Sequence, residues 1–354
     1  MGPKKRAASL LFLEPSMSPR SKASKKPRAN SCSSSHPCAR CTRDQTFLRA
    51  SRRPRIPKAD NEVIAVDLFA GCGGMTVGIH EAVRRIGWKL KIALAIDSDT
   101  AAINIYKKNF PSAAAQVGDV SAVFDGALGA PLTASEKKLA ERIPEVGILL
   151  GGPPCQGHSD LNNHTRRRDP KNALYLRMAR AAEVLLPRVV VIENVTAVQW
   201  DEGGVVEATK RTLAAAGYAV AGAVIDLRRI GVPQRRKRFV FVATRISGLE
   251  PAKVLAAVAD CMPGHADRTV RWAIGDLLAY RGEKIYDTAS RPTAENLKRM
   301  QILFEKKVYD LPNDDRPKCH RDGKHSYVSM YGRLRWNRAA QTITTGFGSM
   351  GQGR

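Results

Sequence analysis

One cysteine lies in the stretch of the chain whose residue types are best suited to chemistry, Gly151-Gly152-Pro153-Pro154-Cys155-Gln156-Gly157-His158-Ser159. The apolar run at 146–150 predicts a short buried strand, the two glycines allow a tight turn, and the prolines fix φ after it. Cys155 is therefore expected at the carboxyl end of a strand, where ligands bind in open α/β sheets. A thiolate held there is a candidate nucleophile, although an apolar-flanked cysteine is more often structural.

Glycine and carboxylate residues follow three other predicted strands. After the strand at 63–66 comes Asp67-Leu68-Phe69-Ala70-Gly71-Cys72-Gly73-Gly74, whose glycines let a ligand approach the backbone at a helix amino end. Their spacing differs from the G-x-G-x-x-G of dinucleotide sites. Asp97 is placed to accept hydrogen bonds from ribose hydroxyls, and Gly118-Asp119-Val120 could accept a hydrogen bond from an adenine amino group. Each carboxylate alone could equally cap a helix, as we expect for Asp99.

Glu193 is a candidate proton donor at another strand end. It follows the apolar strand at 189–192 and precedes Asn194-Val195. A carboxyl group there can take part in acid–base chemistry, and the alternative is a glutamate that caps a helix.

An arginine run, Gln234-Arg235-Arg236-Lys237-Arg238, leads into the next predicted strand. In an extended segment Arg236 and Arg238 share one face, and Arg235 and Lys237 share the other. One pair can therefore face the site while its neighbours face solvent or phosphate.

Strands and helices alternate from residue 63 onward, which predicts the elements that position these residues. The expected strands cover 63–66, 91–96, 146–150, 189–192, 218–225 and 239–243. Apolar residues at helical spacing separate them, and Thr133 with Glu136 forms a capping-box signature. Repeated βα units of this length predict an α/β fold, a doubly wound and mostly parallel sheet covered by helices on both faces, with a second, smaller unit after residue 246.

The charge of the chain predicts a polyanionic partner. The 354 residues carry a formal net charge of +25, and residues 1–60 hold fifteen Lys or Arg against three Asp or Glu. Lys, Ser and Pro dominate the first thirty residues, so we expect a basic, largely disordered leader over 1–60 that touches phosphate.

Cysteine usage predicts a reducing compartment and no metal site. The seven cysteines are odd in number, and neither a signal sequence nor an apolar stretch of membrane-spanning length is present. Cys38-Ala39-Arg40-Cys41 has a zinc-like spacing, but it lacks a second pair. We expect a cytoplasmic, nucleoid-associated protein without membrane contact, and the roles of Cys32, Cys38 and Cys41 stay open.

The motifs resemble, in type and order, those of the C5-cytosine-specific DNA methyltransferase family. The resemblance covers about 63–245 and 331–354, and it is carried by Asp67 to Gly74, Gly152 to Gly157, Glu193 to Val195 and Gln234 to Arg238. It implies a Rossmann-like methyltransferase fold, S-adenosyl-L-methionine as cofactor and double-stranded DNA as substrate, in restriction-modification. Residues 61–245 would form the catalytic domain, 246–330 a target-recognition region, and 331–354 the start of a segment that returns to the sheet, the return segment.

The resemblance also implies roles for individual residues. Cys155 would attack C6 of a flipped-out cytosine, Glu193 would protonate N3, Arg238 would hold O2, and Arg236 would support that pocket. Implied cofactor contacts are Phe69, Gly71, Gly73, Gly74, Asp97, Ser98, Asp119, Val120, Pro154 and Leu174. Implied substrate contacts are Gln156, Ser159, Asn194 and Gln234.

The family's last motif, a Gly-Asn segment with a helix, is absent up to Arg354. This predicts a truncated product, a complementing polypeptide, or a chain that binds without turnover. Two other functions stay open: a tRNA cytosine-5 methyltransferase, although its Cys-Phe-Thr string is missing, and a catalytically incomplete DNA-binding fragment. A cognate restriction endonuclease is a further expected partner, and neither the DNA recognition sequence nor the oligomeric state can be predicted.

Overall fold

The computed structural model describes residues 39–50, 59–154, 173–261, 268–280, 282, 291–322 and 331–343. The strands are β1 (Glu62–Leu68), β2 (Lys89–Asp97), β3 (Ala115–Val117), β4 (Ile148–Gly151), β5 (Val189–Asn194), β6 (Ala219–Asp226) and β7 (Lys237–Thr244). The α-helices are α1 (Ala39–Leu48), α2 (Gly74–Arg85), α3 (Thr100–Asn109), α4 (Val120–Val123), α5 (Ala134–Arg142), α6 (Leu174–Leu185), α7 (Val205–Ala215), α8 (Pro251–Asp260), α9 (Val270–Ile274), α10 (Ala294–Glu305) and α11 (Lys318–Arg321). Within these ranges no helix is both long and apolar enough to cross a membrane.

The seven strands form one sheet in the order β3-β2-β1-β4-β5-β7-β6. The pairs from β3 to β5 are parallel, whereas β7 runs antiparallel to both β5 and β6. The predicted α/β class with a mostly parallel sheet is therefore confirmed. The strand order reverses between β1 and β4, so their carboxyl ends open a crevice at the point where ligands bind in such sheets.

Two helix layers cover the sheet because its strands are apolar on both faces. On one face Leu149 and Val190 pack with α4, α5, α6 and α7 in the main core, which includes Met178. On the other face Ala65 and Leu150 pack with α2 and α3. The predicted capping box starts α5, where Thr133 and Glu136 satisfy each other's backbone N–H groups.

Helix α1 lies inside the segment for which we expected a largely disordered leader. Its Cys41 is 1% exposed. The guanidinium of Arg268 donates to Asp44 Oδ2 at 2.7 Å and to Cys41 Sγ at 3.5 Å, and it stacks 4.2 Å from the ring of Trp272. Residues 39–48 are therefore ordered by contacts to a part of the chain more than two hundred residues away, which composition cannot reveal.

Helix α8 extends the sheet domain past the predicted boundary at residue 245. Leu255 packs with Ile225 of β6 and Val242 of β7 in a separate apolar cluster. The antiparallel strands β6 and β7 form one edge of the sheet, and α8 shields their apolar face from solvent. The residues up to about 260 therefore pack with the sheet.

The described part of the return segment, 331–343, joins three parts of the molecule. Its backbone hydrogen-bonds to residues 309–311, to 270–271 at the start of α9, and to 233–235 just before β7. The second unit and the sheet are thus connected through one extended stretch of chain.

Candidate active site

The loop after β1 is a left-handed turn that points backbone N–H groups toward the end of β2. Phe69, Gly71 and Gly73 have φ values of 56°, 53° and 92°. A Cβ at Gly73 would lie 2.7 Å from the ring of Phe110, so only glycine fits. The Gly71 N–H donates to Asp97 Oδ2 at 2.8 Å, which ties the two strand ends together.

A buried hydrogen-bond chain anchors this loop from below. Thr76 Oγ1 in α2 donates to Asp67 Oδ2 at 2.5 Å and lies 2.8 Å from the hydroxyl of Tyr106. Burial raises the pKa of Asp67 to about 7, and the nearby charge of Asp97 adds to the rise while the Thr76 hydrogen bond opposes it. Burial also raises the pKa of Tyr106, with a further contribution from the charge of Asp67.

Carboxylates stand at the ends of β2 and β3, and each keeps acceptor capacity. Asp97 Oδ1 accepts from the Asp99 N–H at 2.9 Å, and Asp99 caps α3 as predicted. Asp119 is exposed and caps α4 through the Ser121 N–H at 2.8 Å. Val120, in contrast, is 2% exposed and belongs to the main core, so its side chain packs against protein and does not face the crevice.

The other predicted cofactor contacts lie around the same crevice. Ser98 is exposed after β2, Pro154 is half-buried after β4, and Leu174 is half-buried at the first turn of α6. These residues therefore stand at the carboxyl ends of β2 and β4 and at the start of the helix that follows β4 in the described chain.

The carboxyl ends of β4 and β5 are joined through Asn194. Its side-chain Nδ2 donates to the Pro153 carbonyl at 3.2 Å, and its Oδ1 accepts from the Val195 N–H at 2.8 Å. A Cβ at Gly152 would lie 3.5 Å from Glu193 Oε2, so the Gly-Pro-Pro turn runs directly past that carboxylate. Cys155, Gln156 and Ser159 lie outside the described residues.

Glu193 and Arg238 form an ion pair at this edge. Arg238 Nε lies 2.6 Å from Glu193 Oε1, and the two side chains are 16% and 37% exposed. The antiparallel pairing of β5 with β7 brings them together. Arg236 instead donates from Nη1 to the Ile343 carbonyl at 3.3 Å. The pair presents a carboxyl group and a fixed cation side by side, an arrangement that can hydrogen-bond two neighbouring atoms of a planar base.

The return segment supports the arginine run in a way that our sequence reasoning missed. Gln234 forms a parallel bridge with Ala340. The Arg235 N–H donates to the Ala340 carbonyl, and Thr342 Oγ1 donates to the Arg235 carbonyl, both at 2.7 Å. Gln234 Oε1 is buried with no hydrogen-bond partner among the described residues. The expectation for this stretch was a return segment at 331–354, and its residue types did not specify this register.

Across the described ranges, no group of three or more His, Cys, Asp or Glu side chains is arranged to hold a metal ion. Cys32 and Cys38 lie outside those ranges.

Comparisons with known proteins agree with the motif order. The family model for C-5 cytosine-specific DNA methylase matches residues 63–349. The Type II methyltransferase M1.BsuMI of Bacillus subtilis strain 168 is 40% identical over 311 residues, 88% of this chain and 72% of that protein. The Type II methylase M.HgiDII of Herpetosiphon aurantiacus is 28% identical over 298 residues, 82% of this chain and 77% of that protein.

Among solved structures, the S. pombe Dnmt2 methyltransferase aligns with 55% of this chain and 55% of its own, at 22% identity and a TM-score of 0.42. The family match spans most of the chain, and the Bacillus protein is 40% identical over most of it. The chain therefore belongs to the C-5 cytosine-specific DNA methylase family and is a DNA (cytosine-5)-methyltransferase of the restriction-modification type.

Proposed function

We propose that this methyltransferase uses S-adenosyl-L-methionine to methylate C5 of a cytosine flipped out of double-stranded DNA, with Cys155 as the nucleophile. The observation that carries the proposal is the Glu193–Arg238 ion pair, which lies beside Gly152 in the turn that leads to Cys155. A cytosine inside a duplex is stacked and paired, so chemistry at C6 requires the base to leave the stack at a cost of a few kcal/mol.

The residues around the crevice fit the cofactor. A Cβ at Gly71 or Gly74 would meet no atom within 4 Å, so the loop leaves room for a ligand against its backbone. Asp97 would accept hydrogen bonds from the ribose hydroxyls, and Asp119 would accept a hydrogen bond from the adenine amino group, since each carboxylate keeps free lone pairs. Phe69, Gly73, Ser98, Pro154 and Leu174 would complete the walls, whereas the side chain of Val120 would act through packing. When bound, S-adenosyl-L-methionine supplies the methyl group that C5 takes up.

The protein residues carry the remaining chemistry. The Cys155 thiolate would form a bond from Sγ to C6, and Glu193 would give a proton to N3, so that the electron pair displaced from the C5–C6 bond makes C5 nucleophilic. Arg238 would hold O2 and stabilise the charge that develops on the base. After C5 is methylated, a base removes the C5 proton, the Sγ–C6 bond breaks and N3 returns its proton to Glu193, which releases the thiolate and 5-methylcytosine.

The other residues would position these groups. Asn194 holds the Pro153 carbonyl and thereby the turn before Cys155. Gln156, Ser159 and Gln234 would contact the DNA strand, and Arg236 would support the base pocket from the return segment. The residues from the end of α8 to 330 would recognise the DNA sequence, the basic residues preceding α1 would add phosphate contacts, and a cognate restriction endonuclease would share the recognised site.

Covalent capture tests the proposal. The full chain is incubated with S-adenosyl-L-methionine and a duplex in which 5-fluorocytosine replaces cytosine, because fluorine at C5 blocks the elimination that frees the enzyme. We expect a denaturation-resistant adduct with the parent chain and with the control Cys261→Ala, whose exposed cysteine lies away from the crevice. We expect none with Cys155→Ala.

Methyl transfer from labelled cofactor gives the second readout. Glu193→Gln should slow transfer by about 100-fold or more. The proposal is overturned if the folded parent binds the duplex without forming an adduct, which would favour the DNA-binding fragment. Adduct formation with tRNA and not with duplex DNA would favour the tRNA enzyme.

A further inference from the structure

Four arginine residues line one small cavity between the return segment and the segment before β7. They are Arg235, Arg333, Arg335 and Arg338, with Gln341 as a further polar residue in the wall. No aspartate or glutamate lines the cavity. Its volume is about 40 Å³, enough for about three water-sized groups and far too small for a nucleotide. We call this cavity the arginine pocket.

Aromatic rings and a backbone carbonyl fix two of these guanidinium groups without neutralising them. Arg333 and Arg335 both stack on Tyr309, at 4.5 and 3.8 Å from the ring centre. Arg333 also lies 4.8 Å from the ring of Phe304 and donates from Nε to the Val308 carbonyl at 2.8 Å. Cation–π contacts orient an arginine but leave its charge in place, so the remaining N–H donors are held ready for an anion.

The pocket differs from three ion-paired arginine sites in the described ranges. Arg180, Arg238 and Arg268 each lie against a carboxylate at 3.0 Å or less. No such pair links any of the four pocket arginines to a described aspartate or glutamate. Like charges gathered around a common space repel each other, and a bound anion would relieve that repulsion.

The position of the pocket indicates which anion it meets. Arg235 precedes Arg238 by three residues, so their Cα atoms are at most about 11 Å apart. Arg238 pairs with Glu193 at the place assigned to the cytosine. A cytosine turned into that site stays bonded to the phosphates of its own strand, and these phosphates would then lie near the segment that carries both arginines.

We propose that the arginine pocket binds one phosphate of the DNA backbone near the methylated cytosine. The inference rests on the proposed function for the identity of the DNA, and it adds a sequence-independent anchor that positions the strand while the base is out of the stack. The small volume of the cavity, its four arginines and the lack of a described carboxylate partner all suit a single phosphodiester group.

The test removes charge from the two exposed arginines of the pocket in the full chain. Dissociation constants are measured by fluorescence anisotropy for three duplexes of unrelated sequence over a range of salt concentrations. Loss of one phosphate contact should lower the magnitude of the salt slope by about 0.9. We expect Arg235→Gln/Arg338→Gln to show that change on all three duplexes and to bind about tenfold more weakly.

Two further variants separate charge from fold. Arg235→Lys/Arg338→Lys keeps both charges and should keep the parent slope. The control Arg142→Gln/Arg211→Gln removes two exposed charges from α5 and α7, and it should change the slope much less. Urea denaturation establishes that each variant is folded before binding is measured.

A parent-like salt slope in the glutamine double variant overturns the inference. If inorganic phosphate raises the thermal unfolding midpoint of the parent and not of that variant while the DNA slope is unchanged, the pocket binds a free anion, and the DNA assignment is equally overturned. The salt slope is measured without turnover, so failure here is distinct from failure of the covalent-capture experiment.

Discussion

Replacing Asp67 with asparagine should stabilise the protein above neutral pH and have a much smaller effect in acid. Asp67 is 1% exposed and accepts a hydrogen bond from Thr76. Burial raises the pKa of its carboxyl group from 3.8 to about 7. Asparagine has nearly the same shape, keeps an oxygen for Thr76, and carries no charge that must be buried.

The sign and size of the effect follow from the two pKa values. Between pH 3.8 and about 7 the folded state holds a proton that the unfolded state has released, so stability falls as pH rises through this interval. Above about pH 7 the difference between the two pKa values corresponds to a loss of roughly 4 kcal/mol in the free energy of unfolding relative to pH below 3.8. Between about pH 5 and pH 8, Asp67 should lower the free energy of unfolding by roughly 2.5 kcal/mol.

Urea denaturation at these two pH values measures the effect. The advantage of Asp67→Asn over the parent should grow by about 2.5 kcal/mol from pH 5 to pH 8. The matched control is Asp226→Asn at the end of β6, because a hydrogen bond from Arg228 lowers the pKa of Asp226 below 3.8. Its folded and unfolded forms are both ionised across the window, so its stability loss should be constant. Equal pH dependence in Asp67→Asn and the parent would refute the reasoning.

Gly126→Ala should lower the free energy of unfolding by about 2 kcal/mol in urea denaturation, because a Cβ there would overlap the buried guanidinium of Arg180. Gly73→Ala should cost a similar amount, since φ is 92° and two aromatic rings fill the space, and calorimetry should show weaker binding of S-adenosyl-L-methionine. Asp44→Ala should cost about 2 kcal/mol by leaving the Arg268 guanidinium, 7% exposed, without its carboxylate. Limited trypsin digestion should then cleave within α1 faster than in the parent, and an unchanged rate would argue against docking through this pair.

The elements that the sequence predicts well are those with a local signal. β4 and β5 are continuous apolar runs, and each is bounded by a glycine turn or a polar strand end. The α5 start is a four-residue hydrogen-bond pattern, readable without tertiary information. The strand ends that carry Asp97 and Glu193 could also be placed at one edge of the sheet, because the carboxyl ends of parallel strands lie at the same edge.

The contacts that the sequence does not predict are those made by polar groups far apart in the chain. Arg268 meets Asp44 across 224 residues, and neither residue belongs to a periodic pattern. The predicted boundary at residue 245 rested on a change in composition. In the structure, α8 packs on the sheet through Leu255, which covers apolar residues of the edge strands β6 and β7. The capping hydrogen bonds of Asp97 and Asp119 are compatible with the cofactor contacts that we propose, since capping a turn or helix leaves a carboxylate with acceptors to spare.

The return segment connects the second unit to the residues that lead to the Glu193–Arg238 ion pair. Ala340 exchanges backbone hydrogen bonds with Pro233 and Arg235, which fixes the register of the chain three residues before Arg238. The same segment bonds to residues 270–271 and 309–311. If the second unit holds DNA as proposed, that DNA would contact a part of the molecule that is hydrogen-bonded to the residues leading into β7. Arg238 lies 2.6 Å from Glu193, so we infer that docking of DNA and the geometry of the base pocket are linked through the backbone of the return segment. The arginine pocket is built on the same segment, and we infer that the DNA strand and the flipped base are positioned together there.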